Sequence, residues 1–212
     1  MNITVALIEN QLLVRIALKG LLESFGGITV ITDTDTGQRF LDSISELSRV
    51  PDVCIICSTG YMTKDIEAVR EMKKKFGTIN VMVMASHFHE LTIAKLLYEK
   101  VDGFLLKSAD PKELKKAVLV VHKIGTYWPQ SLQAVLSEIS NANYTNVSIS
   151  QKYFQFLELC LEDLTYHEIG RKMGISIRII DGYRDTLFKK CKVGSRLSLV
   201  MFAIRNGIIE LK

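Results

Sequence analysis

The sequence is short of the residues that staple, break or anchor a chain. Four cysteines in 212 residues do not make a disulfide framework in a chain this long. Reduced thiols place it in the cytoplasm. Three prolines and 13 glycines exclude collagen-like and Pro/Gly-rich low-complexity chains. Apolar runs such as Ala117 to Val121 stop far short of the roughly 18–20 residues that a membrane span needs. Met1-Asn2-Ile3-Thr4 carries no basic region and Glu9 interrupts the apolar stretch behind it, so neither a secretory leader nor a membrane partner is expected. Neither sign of charge dominates, with 27 Lys/Arg against 23 Asp/Glu. With 48% hydrophobic and 24% charged residues, the chain can bury a core and is not disordered.

The small positive excess is unevenly placed. Residues 1–145 hold 16 basic and 16 acidic side chains, and residues 146–212 hold 11 and 7. A basic last third beside a neutral remainder points to a polyanion. A chance cluster of surface lysines would give the same count, and charge alone does not choose.

The hydrophobic pattern changes along the chain. Residues 3–8, 28–31, 53–57, 80–84 and 102–106 are short apolar runs that read as strands. Between and after them, Gln11 to Ser24, Thr36 to Leu47, Lys64 to Phe76, His89 to Lys100 and Asp110 to Ile124 carry helical spacing. In the first, Leu12, Ile16, Leu18 and Leu22 form the apolar stripe, and Gly26-Gly27 ends it. In the last, Asp110 is the expected N-cap and Pro111 the first helical residue. Five apolar strands alternating with five helices mean a doubly wound parallel sheet covered on both faces. Sites on such sheets form at the carboxyl ends of the strands, here Glu9-Asn10, Cys57-Ser58, Ala85-Ser86 and Lys107.

The remaining third shows no strand pattern. Pro129 to Ser140 is a candidate connecting helix, and Ser140 to Asn146 a polar linker. Four helices follow, over 150–161, 165–173, 177–191 and 195–206, with Gly174 and Gly194 in the turns and Gly207 after the last. Thr165 followed by Glu168 is a capping box. Gly174 stops that helix and Ser176 opens the next. This is helix-turn-helix spacing, whose second helix fits a major groove, although a plain helical hairpin shares it.

The finer pattern is more specific. Glu168-Ile169-Gly170-Arg171-Lys172-Met173, Ile175-Ser176, Tyr183-Arg184, Leu187-Phe188-Lys189-Lys190, Val193-Gly194-Ser195-Arg196 and Ala203 to Ile209 resemble, in order and spacing, the LuxR-type DNA-binding domain. The first part resembles a response-regulator receiver domain of flavodoxin-like fold. Together they resemble response regulators of the NarL/FixJ class. The expected organisation is a receiver-like domain over 1–125, a linker with a connecting helix over 126–149 and an all-α, four-helix helix-turn-helix domain over 150–212. The resemblance implies double-stranded DNA as partner, a homodimer, and a sensor kinase or other regulatory protein upstream.

The receiver resemblance breaks at its chemistry. The family uses two acidic residues after the first strand to hold Mg²⁺, an Asp ending the third strand as phosphoacceptor, a Ser or Thr ending the fourth and a Lys ending the fifth. Those positions fall on Glu9 and Asn10, Cys57, Ala85 and Lys107. Phe104 occupies the place of the family's switch aromatic. One carboxylate, one amide and a thiol are a poor octahedral Mg²⁺ site, and a thiol cannot form an aspartyl phosphate. A degenerate receiver is expected, with no catalytic set and no cofactor, and with Lys107 as a structural partner of Glu9.

Cys54 and Cys57 form a C-x-x-C, but residues three apart on a strand face opposite sides, which argues against a redox or zinc site. His87 and His89 read as a polar loop, His122 and His167 as solvated helix residues, and Lys73-Lys74-Lys75 as a solvated helix end. Met72, Met82, Met84 and Met173 read as packing residues.

On the helix 177–191, Ile180, Tyr183, Leu187 and Cys191 should face the core. That leaves Arg178, Asp181, Gly182, Asp185 and Lys189 outward, with Arg184 in the DNA-facing set. Arg178 and Lys189 suit guanine or phosphate, and the aspartates suit a cytosine amino group. Gly182 costs helix stability, which close approach of DNA would justify. Thr165 and Ser176 at helix N-termini, with Lys172, Lys190, Lys192 and Arg196, are the expected phosphate contacts. The leading reading is a transcription regulator that is not an enzyme and is controlled by protein contacts or dimerisation. The alternatives are a phosphorylation-switched regulator with an unusual acceptor, and a thiol-based sensor or adaptor that does not bind DNA.

Overall fold

The computed structural model describes residues 2–47, 49–58, 62–134, 136–137, 147–206 and 208–209. Strands β1 (Ile3–Ile8), β2 (Ile28–Thr34), β3 (Val53–Cys57), β4 (Asn80–Ala85) and β5 (Gly103–Leu106) form one sheet in the order β2-β1-β3-β4-β5. All its pairings are parallel. Every residue of β1 and β3 is buried, because helices cover both faces of the sheet. Helices α2 (Gly37–Ser43), α3 (Met62–Lys75) and α4 (Glu90–Tyr98) pack Phe40, Met72 and Ile93 against Ile8, Ile56 and Val83. Helices α1 (Leu12–Ser24) and α5 (Pro111–Ile124) pack Leu22, Leu114 and Val118 against Val5, Leu7 and Ile55 on the other side. Cys54 belongs to the first core and Cys57 to the second, as the strand period requires, and no cysteine forms a disulfide. Burial pushes the Cys54 thiol far above its ordinary pKa. Asp110 caps α5, accepting from the Lys112 and Glu113 N–H groups.

Several local expectations are corrected. On α1 the packed face is Leu18, Leu21, Leu22 and Phe25, while Leu12 and Ile16 are exposed. Of the expected stripe Leu18 and Leu22 pack, while Leu12 and Ile16 do not, because the core this helix joins lies along its second half. The helix expected over 36–47 is α2 followed by a 3-10 turn at Ile44–Glu46. Lys73 is not solvated: its ammonium is half-buried and bonds to Asp102 and to the Ile79 carbonyl. The connecting helix is a 3-10 turn at Gln130–Leu132 with helical backbone at 133, 134, 136 and 137. The polar stretch 140–146 and Gly207 lie outside the described residues.

The start of the expected linker is not a tether. The Tyr127 N–H donates to the Asp102 carbonyl and the Tyr127 carbonyl accepts from the Phe104 N–H, bridging the edge of β5. Leu132 is fully buried, and Trp128 and Leu136 pack on the same core.

Four helices follow: α6 (Val147–Leu159), α7 (Tyr166–Met173), α8 (Ile177–Cys191) and α9 (Arg196–Arg205). Phe156, Leu157, Ile169, Ile180, Leu187, Leu199 and Ala203 form their core. The Thr165–Glu168 capping box is formed in both directions, and Gly174 ends α7 at φ 65°, a conformation that glycine adopts without cost.

This helical unit docks on α4. Leu91, 1% exposed, sits in its core. The Thr92 hydroxyl donates to the Asn206 carbonyl at 3.1 Å. The His89 ring, whose Nδ1 caps α4, meets Phe202 edge-on with centroids 4.7 Å apart. The Lys95 ammonium lies over the Phe154 ring.

Candidate functional site

Two places bring the candidate residues together: the carboxyl ends of the strands and the outer face of α8. At the first, residues far apart in sequence converge. The Ser58 N–H donates to the Met84 carbonyl, and the Lys107 N–H to the Ala85 carbonyl. Glu9 is 0% exposed. Its Oε2 accepts from the Lys107 ammonium at 2.9 Å and its Oε1 from the Gln11 N–H at 2.9 Å. Asn10 is exposed, Cys57 and Ala85 are buried and Ser86 is exposed. Phe104 is fully buried with the Phe88 ring edge-on at 5.9 Å. Phe88 went unnoticed in the sequence because loop aromatics carry no period.

The second place is built by the helix-turn-helix. Ile180, Leu187 and Cys191 anchor α8 in the core, and Tyr183 packs between Tyr153 and Phe156. At 3.6 residues per turn, that anchoring turns Arg178, Gly182, Asp185 and Lys189 outward, and all four are exposed. Asp181 is half-exposed at the edge of this face. Ile179, 44% exposed, is an apolar residue on this helix that sequence reasoning passed over.

The acidic residues here are not isolated charges. The Arg184 NH1 donates to Asp181 Oδ1 at 2.9 Å, and its Nε and NH2 reach Asp185 Oδ1, both at 2.9 Å. Its guanidinium also lies over the Tyr166 ring at 5.6 Å. Arg184 is thus held by its own helix and by α7. The i,i+3 spacing of Asp181 and Arg184 was a visible signal for this pair.

The expected phosphate contacts divide. Lys192 is exposed and ends α8 in a left-handed conformation, and Lys190 is half-buried. Lys172 is exposed and pairs with Glu162. The Thr165 hydroxyl is committed to the capping box. Ser176 occupies the N-cap position of α8, but its side chain makes no cap hydrogen bond. Arg196 has a different task from the one expected. Its guanidinium donates to the carbonyls of Leu159, Cys160, Glu162 and Leu164, satisfying the end of α6, so it ties the helical unit together instead of facing a phosphate.

Comparison with known proteins fits this architecture. Residues 147–203 match the model of bacterial regulatory proteins of the luxR family. Response regulator UvrY of Escherichia coli (strain K12) is 23% identical over 211 residues, covering 97% of this chain and 95% of UvrY. Transcriptional regulatory protein RcsB of the same strain is 21% identical over 202 residues, covering 95% and 94%. Among solved structures, RcsB from Salmonella enterica serovar Typhimurium bound to promoter P1flhDC superposes with TM-score 0.68 at 19% identity, covering 97% of this chain and 99% of that one. A structure of two RcsB dimers bound to two parallel DNAs gives 0.67 at 20% identity, covering 95% and 98%. The chain joins a receiver-like domain to a LuxR-type helix-turn-helix domain and is homologous to the UvrY and RcsB response regulators of the NarL/FixJ class.

Proposed function

We propose that this protein is a transcription regulator that binds double-stranded DNA through α8, as a homodimer, and that its receiver-like domain works by protein contacts instead of phosphotransfer. The observation that carries the DNA reading is the division of α8. Ile180, Leu187 and Cys191 are consumed by the core, and Arg178, Gly182, Asp185 and Lys189 stand exposed on the opposite side. One of the RcsB structures named above holds two dimers on two parallel DNAs, which supports the same assembly here. The working division is a receiver-like unit of residues 1–125, a connector of 126–149 and a DNA-binding unit of 150–212, in the cytoplasm. We assign it no enzymatic reaction.

The receiver reading rests on donor chemistry. Mg²⁺ needs several hard oxygen ligands in a tight octahedron. Glu9 has both oxygens engaged, one by an ammonium. Asn10 offers a neutral amide, and Cys57 offers a soft thiol. The residues present do not fit the metal. A sensor kinase is therefore a poorer candidate for the upstream partner than a protein that binds the domain directly.

Binding titrations on DNA at several salt concentrations test the reading. Arg178→Ala should cost about 1–3 kcal/mol on preferred DNA and relax preference at one base position. Lys189→Ala should lower the log–log salt slope by about one unit if it meets phosphate. Cys57→Ser should leave binding unchanged, and a small-molecule phosphodonor with Mg²⁺ should add no phosphoryl mass to the intact protein. DNA affinity indifferent to both α8 substitutions would remove the reading.

A further inference from the structure

Two aspartates beside the reading face of a DNA-binding helix need a physical reason, because bare carboxylates repel phosphate. The Arg184 guanidinium supplies it. It bonds to one oxygen of each aspartate, which lowers the electrostatic cost of bringing them to DNA and fixes where the carboxylates point. These bonds use Oδ1 of both residues. Asp185 is the more outward of the two, with its side chain 69% exposed against 43% for Asp181.

Asp185 also shares its side of α8 with Gly182, one turn earlier. A Cβ built on Gly182 would meet nothing within 4 Å, so the packing of the protein does not demand glycine there. What glycine provides is clearance. An aspartate side chain is short, and it reaches a base edge only where the helix backbone comes close to the groove floor. Clearance at Gly182 and a short, oriented acceptor at Asp185 are complementary.

A carboxylate accepts hydrogen bonds and donates none. In the major groove the exocyclic amino group of cytosine presents a donor, while thymine presents an acceptor and a methyl group at the corresponding edge. Resting on the DNA-binding role of α8 proposed above, we infer that Asp185, held by Arg184, is a specificity-determining residue that selects cytosine through its amino group and rejects thymine by carboxylate–carbonyl repulsion. Arg184 is a positioning residue in this scheme.

The test starts from duplexes selected by the full-length protein from random sequence. Each cytosine is then replaced in turn by thymine, with adenine opposite, and by 2-pyrimidinone, which keeps the ring and lacks the amino group. Wild-type protein should lose at least tenfold in affinity at one cytosine per half-site with either replacement. Asp185→Asn keeps the shape but adds a donor, so it should discriminate cytosine from thymine there by less than about threefold. Affinity for the other positions should stay unchanged. Arg184→Gln should weaken binding to every duplex, because two carboxylates lose their counter-charge. Asp185 and Arg184 are both outside the hydrophobic core, and circular dichroism of each variant checks that it is folded. If no cytosine is sensitive, or if Asp185→Asn discriminates as the wild type does, the inference is overturned while the DNA role of α8 stands. Absence of any DNA binding, or binding indifferent to Arg178→Ala and Lys189→Ala, overturns both.

Discussion

The Glu9–Lys107 pair gives the sharpest check on how the receiver-like domain is built. Replacing Lys107 by Met leaves a carboxylate at 0% exposure with the Gln11 N–H still donating to it. Breaking a buried ion pair from one side costs about 3–5 kcal/mol. The Lys107 side chain is 23% exposed, so water reaches that end, and the low end of about 3 kcal/mol applies. Glu9→Gln leaves an amide in the pocket and a lysine that can turn to solvent, costing about 1–2 kcal/mol. The double variant buries no charge and should cost about 1–2 kcal/mol as well. The two changes should therefore fall short of additivity by about 2–4 kcal/mol, roughly a 30- to 900-fold difference in the unfolding constant. Urea titration followed by Trp128 fluorescence measures it, since this is the one tryptophan in the chain and it packs on the receiver-like core. Additivity to within about 0.5 kcal/mol would refute the view that the lysine now serves structure.

Gly182→Ala should stabilise the protein by about 0.5–1 kcal/mol, because alanine is the better helix former and its Cβ finds open space. The same change should weaken DNA binding if the backbone approaches the groove there, and a urea midpoint and a binding titration on one sample separate the two effects. Glu99 predicts a pH response. Burial would raise its pKa, but Arg70 and Lys95 outweigh that and hold it below the ordinary carboxylate value. A lowered folded value means its contribution to stability is complete above the ordinary carboxylate pKa, about 4.3, and disappears as pH falls through the lowered value. Glu99→Gln should be less stable than wild type at pH 7, and the gap should close on acidification in urea titrations at stepped pH.

Four strands were legible nearly to the residue, because a sheet covered on both faces writes continuous apolar runs into its sequence, while β2 runs on to Thr34, three polar residues past the run 28–31. The capped helices were legible for a different reason: Asp110, Thr165 and Gly174 do local work that depends on few distant partners. The errors fall where a distant partner decides. Leu12 and Ile16 have helical spacing but lie outside the core that the second half of their helix joins. Lys73 looked like one of three solvated lysines until Asp102 came near it in the fold. Arg196 looked like a phosphate contact until the end of α6 and the turn after it presented four carbonyls to it. At the candidate site, the outward residues of α8 followed from periodicity. The Asp181–Arg184 pair was visible in its i,i+3 spacing, while the additional hold on Asp185 depended on a rotamer that no pattern encodes.

The α4 contact has a thermodynamic consequence of its own. Leu91, Thr92 and His89 belong by sequence to the first unit, yet their surroundings are Phe202, Asn206 and the core of the second. Work done on one unit is therefore felt in the other. A ligand that binds the receiver-like unit more tightly in this docked arrangement favours the docked state of the DNA-binding unit. By reciprocity, DNA that prefers the docked state raises the affinity for that ligand by the same factor. Such coupling needs no phosphoryl group, and the contact around Leu91 is the place in the fold through which it would run in both directions.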